Sequence, residues 1–166
     1  YTNSVLRTTQ KYICVSRPRR FGKSMAANML TAYYSRGCDS RELFQGLKIA
    51  KHTDFEKHLN QYNVIHLNMR DYLTESENMK QLIQFVEEDL LDELQQEFAD
   101  LRMPRRKTLV KVLEQAFAQY KIPFVFIIDE WDCIFRVHKS DAASQKTYLD
   151  FLRNLLKDKS YIALAY

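Results

Sequence analysis

A short apolar run, Tyr12-Ile13-Cys14-Val15, leads through a basic loop, Ser16-Arg17-Pro18-Arg19-Arg20-Phe21, into Gly22-Lys23-Ser24 and a helical pattern from Met25 onward. Strand, tight loop and helix in that order bring unpaired backbone N–H groups and the positive end of a helix dipole to one point, which favours an anion there. Lys23 adds a mobile positive charge, and the Ser24 hydroxyl can ligate a hard divalent cation. These are the parts of a phosphate-binding loop. The full pattern, G-x-x-x-x-G-K-[ST], puts its first glycine at position 17, where this chain has Arg17. Gly-Lys-Ser alone is weak evidence, so the elements around it and a partner motif downstream decide the matter.

Only three glycines and three prolines are spread over 166 residues, which favours long regular elements and leaves no low-complexity linker. With 46% hydrophobic residues the chain can bury a sizeable core as one domain. No run approaches the roughly 20 apolar residues that cross a bilayer, and no signal-peptide pattern opens the chain. Cys14, Cys38 and Cys133 are odd in number and lack C-x-x-C spacing. They suit a reducing cytoplasm better than a disulfide framework. The expectation is a cytoplasmic protein with no membrane partner. A net charge of +4 is compatible with nucleotide or nucleic-acid phosphates, and equally with an ordinary soluble protein. The start at Tyr1 and the apolar run ending at Tyr166 read as cuts in a longer chain.

Hydrophobic periodicity predicts strands over residues 12–16, 64–69, 124–128 and 161–166. Between them it predicts a helix from Ser24 to Arg36, with Met25, Met29, Leu30, Ala32 and Tyr33 inward and Gly37 as its C-cap. Short helices follow near 39–49 and 53–60. A long amphipathic helix over 78–99 buries Leu82, Ile83, Phe85, Val86, Leu90, Leu91, Leu94 and Phe98 and turns an acidic face outward. Further helices span 108–120 and 144–157. Strands alternating with helices indicate βαβ units and a parallel sheet.

The run Phe124-Val125-Phe126-Ile127-Ile128 ends on Asp129-Glu130-Trp131-Asp132. An apolar strand running straight into Asp-Glu is the Walker B pattern, and ligands of open α/β sheets bind at the carboxyl ends of strands. In that pattern Asp129 holds Mg²⁺ together with Ser24, and Glu130 polarises an attacking water. Asp-Glu after a strand is also a common helix cap or solvated turn. The pairing of both motifs, in the right order and about a hundred residues apart, favours a nucleoside triphosphate site.

The segments Ser16-Arg17-Pro18-Arg19-Arg20-Phe21-Gly22-Lys23-Ser24, Leu43-Phe44-Gln45-Gly46-Leu47-Lys48-Ile49 and Ile127-Ile128-Asp129-Glu130-Trp131-Asp132 resemble the AAA-ATPase-like family of P-loop proteins. In that family a basic R-P-R-R loop replaces the glycine-rich opening, so Arg17 is what the resemblance implies at that position. Trp131-Asp132 keeps the family's aromatic-acid pair only loosely. The resemblance implies an α/β P-loop NTPase of the additional-strand type: a three-layer sandwich with a mainly parallel sheet. It covers nearly the whole chain, taken as one domain over 1–166, with the lead-in and a fifth strand missing. It implies ATP and Mg²⁺ as ligands, and hydrolysis coupled to a conformational change. Arg19, Arg20, Phe21, Gly22, Lys23, Ser24 and Met25 would bind nucleotide, Ser24 and Asp129 the metal, and Lys23 and Glu130 would serve catalysis. The family's usual partner is a C-terminal PD-(D/E)xK nuclease-like domain; nucleic acid and oligomerisation are possible associations. Three rivals stand: an ATP-binding switch or scaffold with little turnover, a kinase-type phosphotransferase, and a nucleic-acid-handling module.

Several residues carry two readings. Arg19 and Arg20 contact phosphates, or brace the loop against Asp129 or Asp132. Arg17 reads as structural. His66 reads as a satisfied histidine more readily than as a ligand. Asn68 and Asp71 sit at the carboxyl end of the second strand, the edge where a site belongs. Arg136 could reach the nucleotide of a neighbouring subunit. The basic stretch Arg102–Lys107 is a solvated loop or a contact for nucleic acid, and Cys133 reads as inert.

Overall fold

The computed structural model describes residues 11–15 and 22–166. In chain order the elements are α1 (Lys23–Tyr34), α2 (Arg41–Phe44), a 3₁₀ turn (Lys48–Lys51), α3 (Phe55–His58) and β1 (Asn63–Asn68). Then come α4 (Met69–Glu75), α5 (Met79–Glu97), α6 (Leu109–Tyr120), β2 (Phe124–Asp129), α7 (Cys133–Val137), α8 (Ala142–Leu156) and β3 (Ile162–Ala165). They divide into two compact units. One holds the described residues up to Leu67 with Ile122–Asp129 and Ile162–Tyr166; the other holds Asn68–Lys121 and Glu130–Tyr161.

In the first unit the sheet runs β1-β2-β3, with β2 and β3 parallel. Phe124 to Ile128 of β2 are all at most 8% exposed, so the strand needs cover on both faces, as parallel sheets do. Val125 and Ile127 share a core with Leu164 of β3 and with Ala27, Tyr33 and Tyr34 of α1. Tyr33 anchors an aromatic cluster, its ring 4.8–5.5 Å from those of Tyr34, Phe44 and Phe55. Its hydroxyl donates to the Phe55 carbonyl at 2.9 Å, which satisfies the buried polar tip.

The strand predicted over 12–16 is smaller than expected. Residues 11–15 meet β3 at one parallel bridge, Tyr12 opposite Ala165, made by Ile13 N–H to the Ala165 carbonyl at 2.9 Å and Ala165 N–H to the Lys11 carbonyl at 2.8 Å. Position 16 lies outside the described residues. Across the sheet the order is therefore β1, β2, β3 and then this bridged segment.

The inward face of α1 is also corrected. Met25 and Met29 are 69% and 42% exposed, while Ala27, Tyr33 and Tyr34 are buried. The helix packs on β2, where small Ala27 permits close approach, and the aromatic cluster turns the methionines outward. Its end is capped at Ser35 rather than by Gly37. Asn60, held at φ 55°, takes the role expected of the glycine: its amide donates to the carbonyls of Ser35 at 2.7 Å and Ala32 at 3.1 Å. Its side-chain oxygen accepts from the Ser40 N–H at 3.2 Å. Carbonyls at a helix end lack partners inside the helix, so one side chain here answers for them.

The second unit is helical. The helix α5 packs against α4, α6 and α8, burying Met79, Leu82, Val86, Leu90 and Leu94. Asn78 caps it, accepting from the Gln81 N–H at 3.0 Å. Two helices here, α4 and α7, were not expected. The first begins where Asn68 accepts from the Arg70 N–H at 3.2 Å, so this asparagine is spent as a cap.

Replacing Asn60 with alanine removes both carbonyl contacts and leaves at positive φ a residue without the side-chain hydrogen bonding that lets asparagine tolerate it. The expected loss is about 2–3 kcal/mol of unfolding free energy, measured by urea denaturation. A loss under half a kcal/mol would mean water serves those carbonyls equally well.

Candidate functional site

The first unit brings the two sequence motifs together. Gly22 stands at the N-cap of α1 with φ 71° and ψ 23°, a left-handed conformation that costs glycine nothing and other residues a Cβ clash. Its carbonyl accepts from the Ala26 N–H at 2.9 Å, which closes the first turn. Lys23 and Ser24 open the helix that follows, with Lys23 half-buried and Ser24 exposed. The Ser24 hydroxyl donates to Asp129 Oδ2 at 2.6 Å, joining residues 105 positions apart. Asp129 is the residue at which β2 passes from full burial to partial exposure.

A hydroxyl and a carboxylate in mutual contact form a hard oxygen pair suited to Mg²⁺. That ion takes one or two protein oxygens and completes its shell with water and substrate phosphates. Among the described residues no group of three His, Cys, Asp or Glu side chains is placed to hold a metal by itself. Of the other nucleotide-binding candidates, Met25 is 69% exposed at the start of α1. Arg19, Arg20 and Phe21, with Arg17, lie outside the described residues.

In the second unit, Glu130 opens a turn with φ 54°. Left-handed backbone costs a residue of this type about 1–2 kcal/mol, and such outliers gather at functional sites. The Glu130 carboxylate is ion-paired with Arg136 Nη2, and Arg136 Nη1 donates to Asp132 Oδ2 at 3.1 Å. The Glu130 carbonyl accepts from the Cys133 N–H at 2.9 Å. The hydrogen bond to Glu130 raises the Arg136 guanidinium further above its usual range. The Trp131 ring meets Phe135 edge-on at 5.8 Å, and Phe135 in turn meets Tyr148 at 6.3 Å. Arg136, considered above for a neighbouring subunit's nucleotide, is thus engaged by carboxylates of its own chain. The Asp132–Arg136 spacing of four on a helix was a readable signal for this.

The remaining candidates lie on β1 and on the segments that follow it. His66 is exposed on β1, its Nδ1 3.2 Å from Thr31 Oγ1 of α1. Asn68 is a helix cap and Asp71 is exposed. Arg105, Arg106 and Lys107 project into solvent from the loop before α6.

A parallel sheet, a glycine-started helix on its central strand, and a serine–aspartate contact at that strand's carboxyl end define an α/β protein consistent with a P-loop-like fold. A family model described as predicted AAA-ATPase matches residues 1–162, and the chain belongs to this AAA-ATPase-like family. Membership supports nucleotide binding in general terms. Comparison with curated proteins and with solved structures gave no match. Among the described residues no helix is long and apolar enough to cross a membrane.

The turn also fixes thiol behaviour. Cys133 is buried beside Glu130 and Asp132, and burial pushes its thiol up to about 11, while Cys14 and Cys38 are exposed. Only the thiolate attacks an alkylating or disulfide reagent. At pH 8 two of the three thiols are expected to react promptly with an aromatic disulfide reagent and the third only after denaturant is added. Raising the pH toward 11 should accelerate that third reaction, since the pKa is displaced upward. Three equal rates at pH 8 would contradict the buried placement.

Proposed function

We propose that this chain binds ATP with Mg²⁺ and hydrolyses it, using the energy for a conformational change. The observation that carries the reading is the 2.6 Å contact between Ser24 and Asp129, which unites the two motifs at the carboxyl end of the central strand. The sheet order lends support. Residues 11–15 bridge to β3, so one strand separates them from the strand of Asp129. An additional-strand arrangement would require such an insertion, which supports this reading.

In this mechanism the N–H groups at the start of α1 and the Lys23 ammonium bind the β- and γ-phosphates. Ser24 and Asp129 would hold Mg²⁺, which when bound neutralises phosphate charge. Glu130, the next residue in the chain, accepts a proton at a carboxylate oxygen from the attacking water. Arg19 and Arg20 are proposed to add positive charge near the phosphates. A nuclease-like domain C-terminal to this one is the proposed recipient of the conformational change.

Phosphate release under steady-state conditions separates this reading from an ATP-binding switch. Glu130→Gln is expected to lower kcat about 10²–10⁴-fold with ATP affinity retained. Asp129→Asn is expected to weaken the dependence on Mg²⁺. Equal, negligible turnover in wild type and Glu130→Gln, with binding intact in both, would favour the switch.

A further inference from the structure

The carboxylate proposed as the base is not presented alone: it is gripped by a cation four residues beyond the turn's second acid. Arg136 places one arm of its fork on Glu130 and the other on Asp132. The two ion pairs are partly shielded, with side-chain exposure of 32% for Arg136, 21% for Glu130 and 38% for Asp132. A forked guanidinium suits this task because it meets two carboxylates at once with a fixed geometry. Asp132 precedes α7 and Arg136 lies in its last turn, so the short helix holds the arginine in register with both acids. A carboxylate held by a guanidinium is not free to orient a water.

We propose that Arg136 is a latch on Glu130, holding the base in an unproductive pairing until nucleotide is bound. The latch rests on the hydrolytic reading above. Anchoring by Asp132 keeps Arg136 on the turn, and release requires the Glu130 arm of the fork to let go. Glu130 is joined by a peptide bond to Asp129, so a change at that residue on nucleotide binding acts directly on the backbone of the turn. The left-handed φ of 54° at Glu130 means this backbone already sits away from its preferred basin. Relaxation there would swing the carboxylate off Arg136. Trp131, the single tryptophan of the chain, lies inside the turn against Phe135 and reports on it without any label.

The test uses the whole 166-residue chain, with Mg²⁺-ATP as the probe. Three quantities are compared for wild type, Arg136→Ala and Asp132→Asn: kcat, the calorimetric Kd, and the emission of Trp131 with and without nucleotide. The latch predicts a kcat roughly threefold to tenfold higher in Arg136→Ala, the scale of a partly shielded ion pair, with Kd changed less than about twofold. Asp132→Asn, which loosens the anchor while leaving Arg136 in place, should move kcat the same way by less. Nucleotide-free Arg136→Ala should emit as the nucleotide-saturated wild type does. A fall in kcat with Kd retained would overturn the latch and make Arg136 a residue that positions the base. Unchanged kcat and emission would reduce the pair to a brace. If wild type binds Mg²⁺-ATP but neither protein turns it over, the hydrolytic reading gives way to the switch and the latch is overturned. If wild type binds no nucleotide, the hydrolytic reading fails, and the latch falls with it.

Discussion

The strand β2 can present no residue to water until its last. Phe124, Val125, Phe126, Ile127 and Ile128 are all buried, and a one-residue slip in register would drag Asp129 into that interior. Burying a carboxylate without a full set of partners costs several kcal/mol, so the register is protected by the very group that emerges from it. The place of Asp129 is thus a consequence of hydrophobic burial upstream. Parallel pairing with β3 repeats the constraint, because Ile162 and Leu164 are equally buried.

The end of the first unit that carries Ser24 and Asp129 is built against this strand. The helix α1 lies on β2 through Ala27, and Tyr33 and Tyr34 bind its far end into the aromatic core. Asn60 ties off the last carbonyls. With its C-terminal end so fixed, the N-terminal end of α1 is held where Ser24 reaches Asp129. Gly22 then supplies the left-handed residue at the helix entrance. Rigid support at one end of α1 and a glycine-permitted turn at the other suit the anion-binding role proposed for this helix start.

Much of this was legible in the sequence, because the strongest signals were local. The uninterrupted apolar run before Asp129, the Gly22-Lys23-Ser24 string and the long amphipathic period of α5 each carry their own structural cause. What escaped depended on tertiary partners. The exposed Met25 and Met29 look as inward as Tyr33 by period alone, and only the position of the aromatic cluster decides between faces. The helix α4 is short and was hidden by the polar residues Arg70 and Asp71, although Asn68 was a cap in plain view. The segment 11–15 is apolar enough for a strand, yet it makes a single bridge to β3. The role of Arg136 needed the turn at Glu130, whose left-handed backbone no propensity scale would assign to glutamate.

Titration calorimetry of Mg²⁺-ATP into this protein, with Lys23→Ala beside it, addresses the proposed nucleotide site most directly. Saturable binding by wild type that requires Mg²⁺ and disappears in Lys23→Ala is the predicted result. Binding that is absent in wild type, or that persists undiminished without Mg²⁺ and without Lys23, would contradict a phosphate site built on Gly22, Lys23, Ser24 and Asp129.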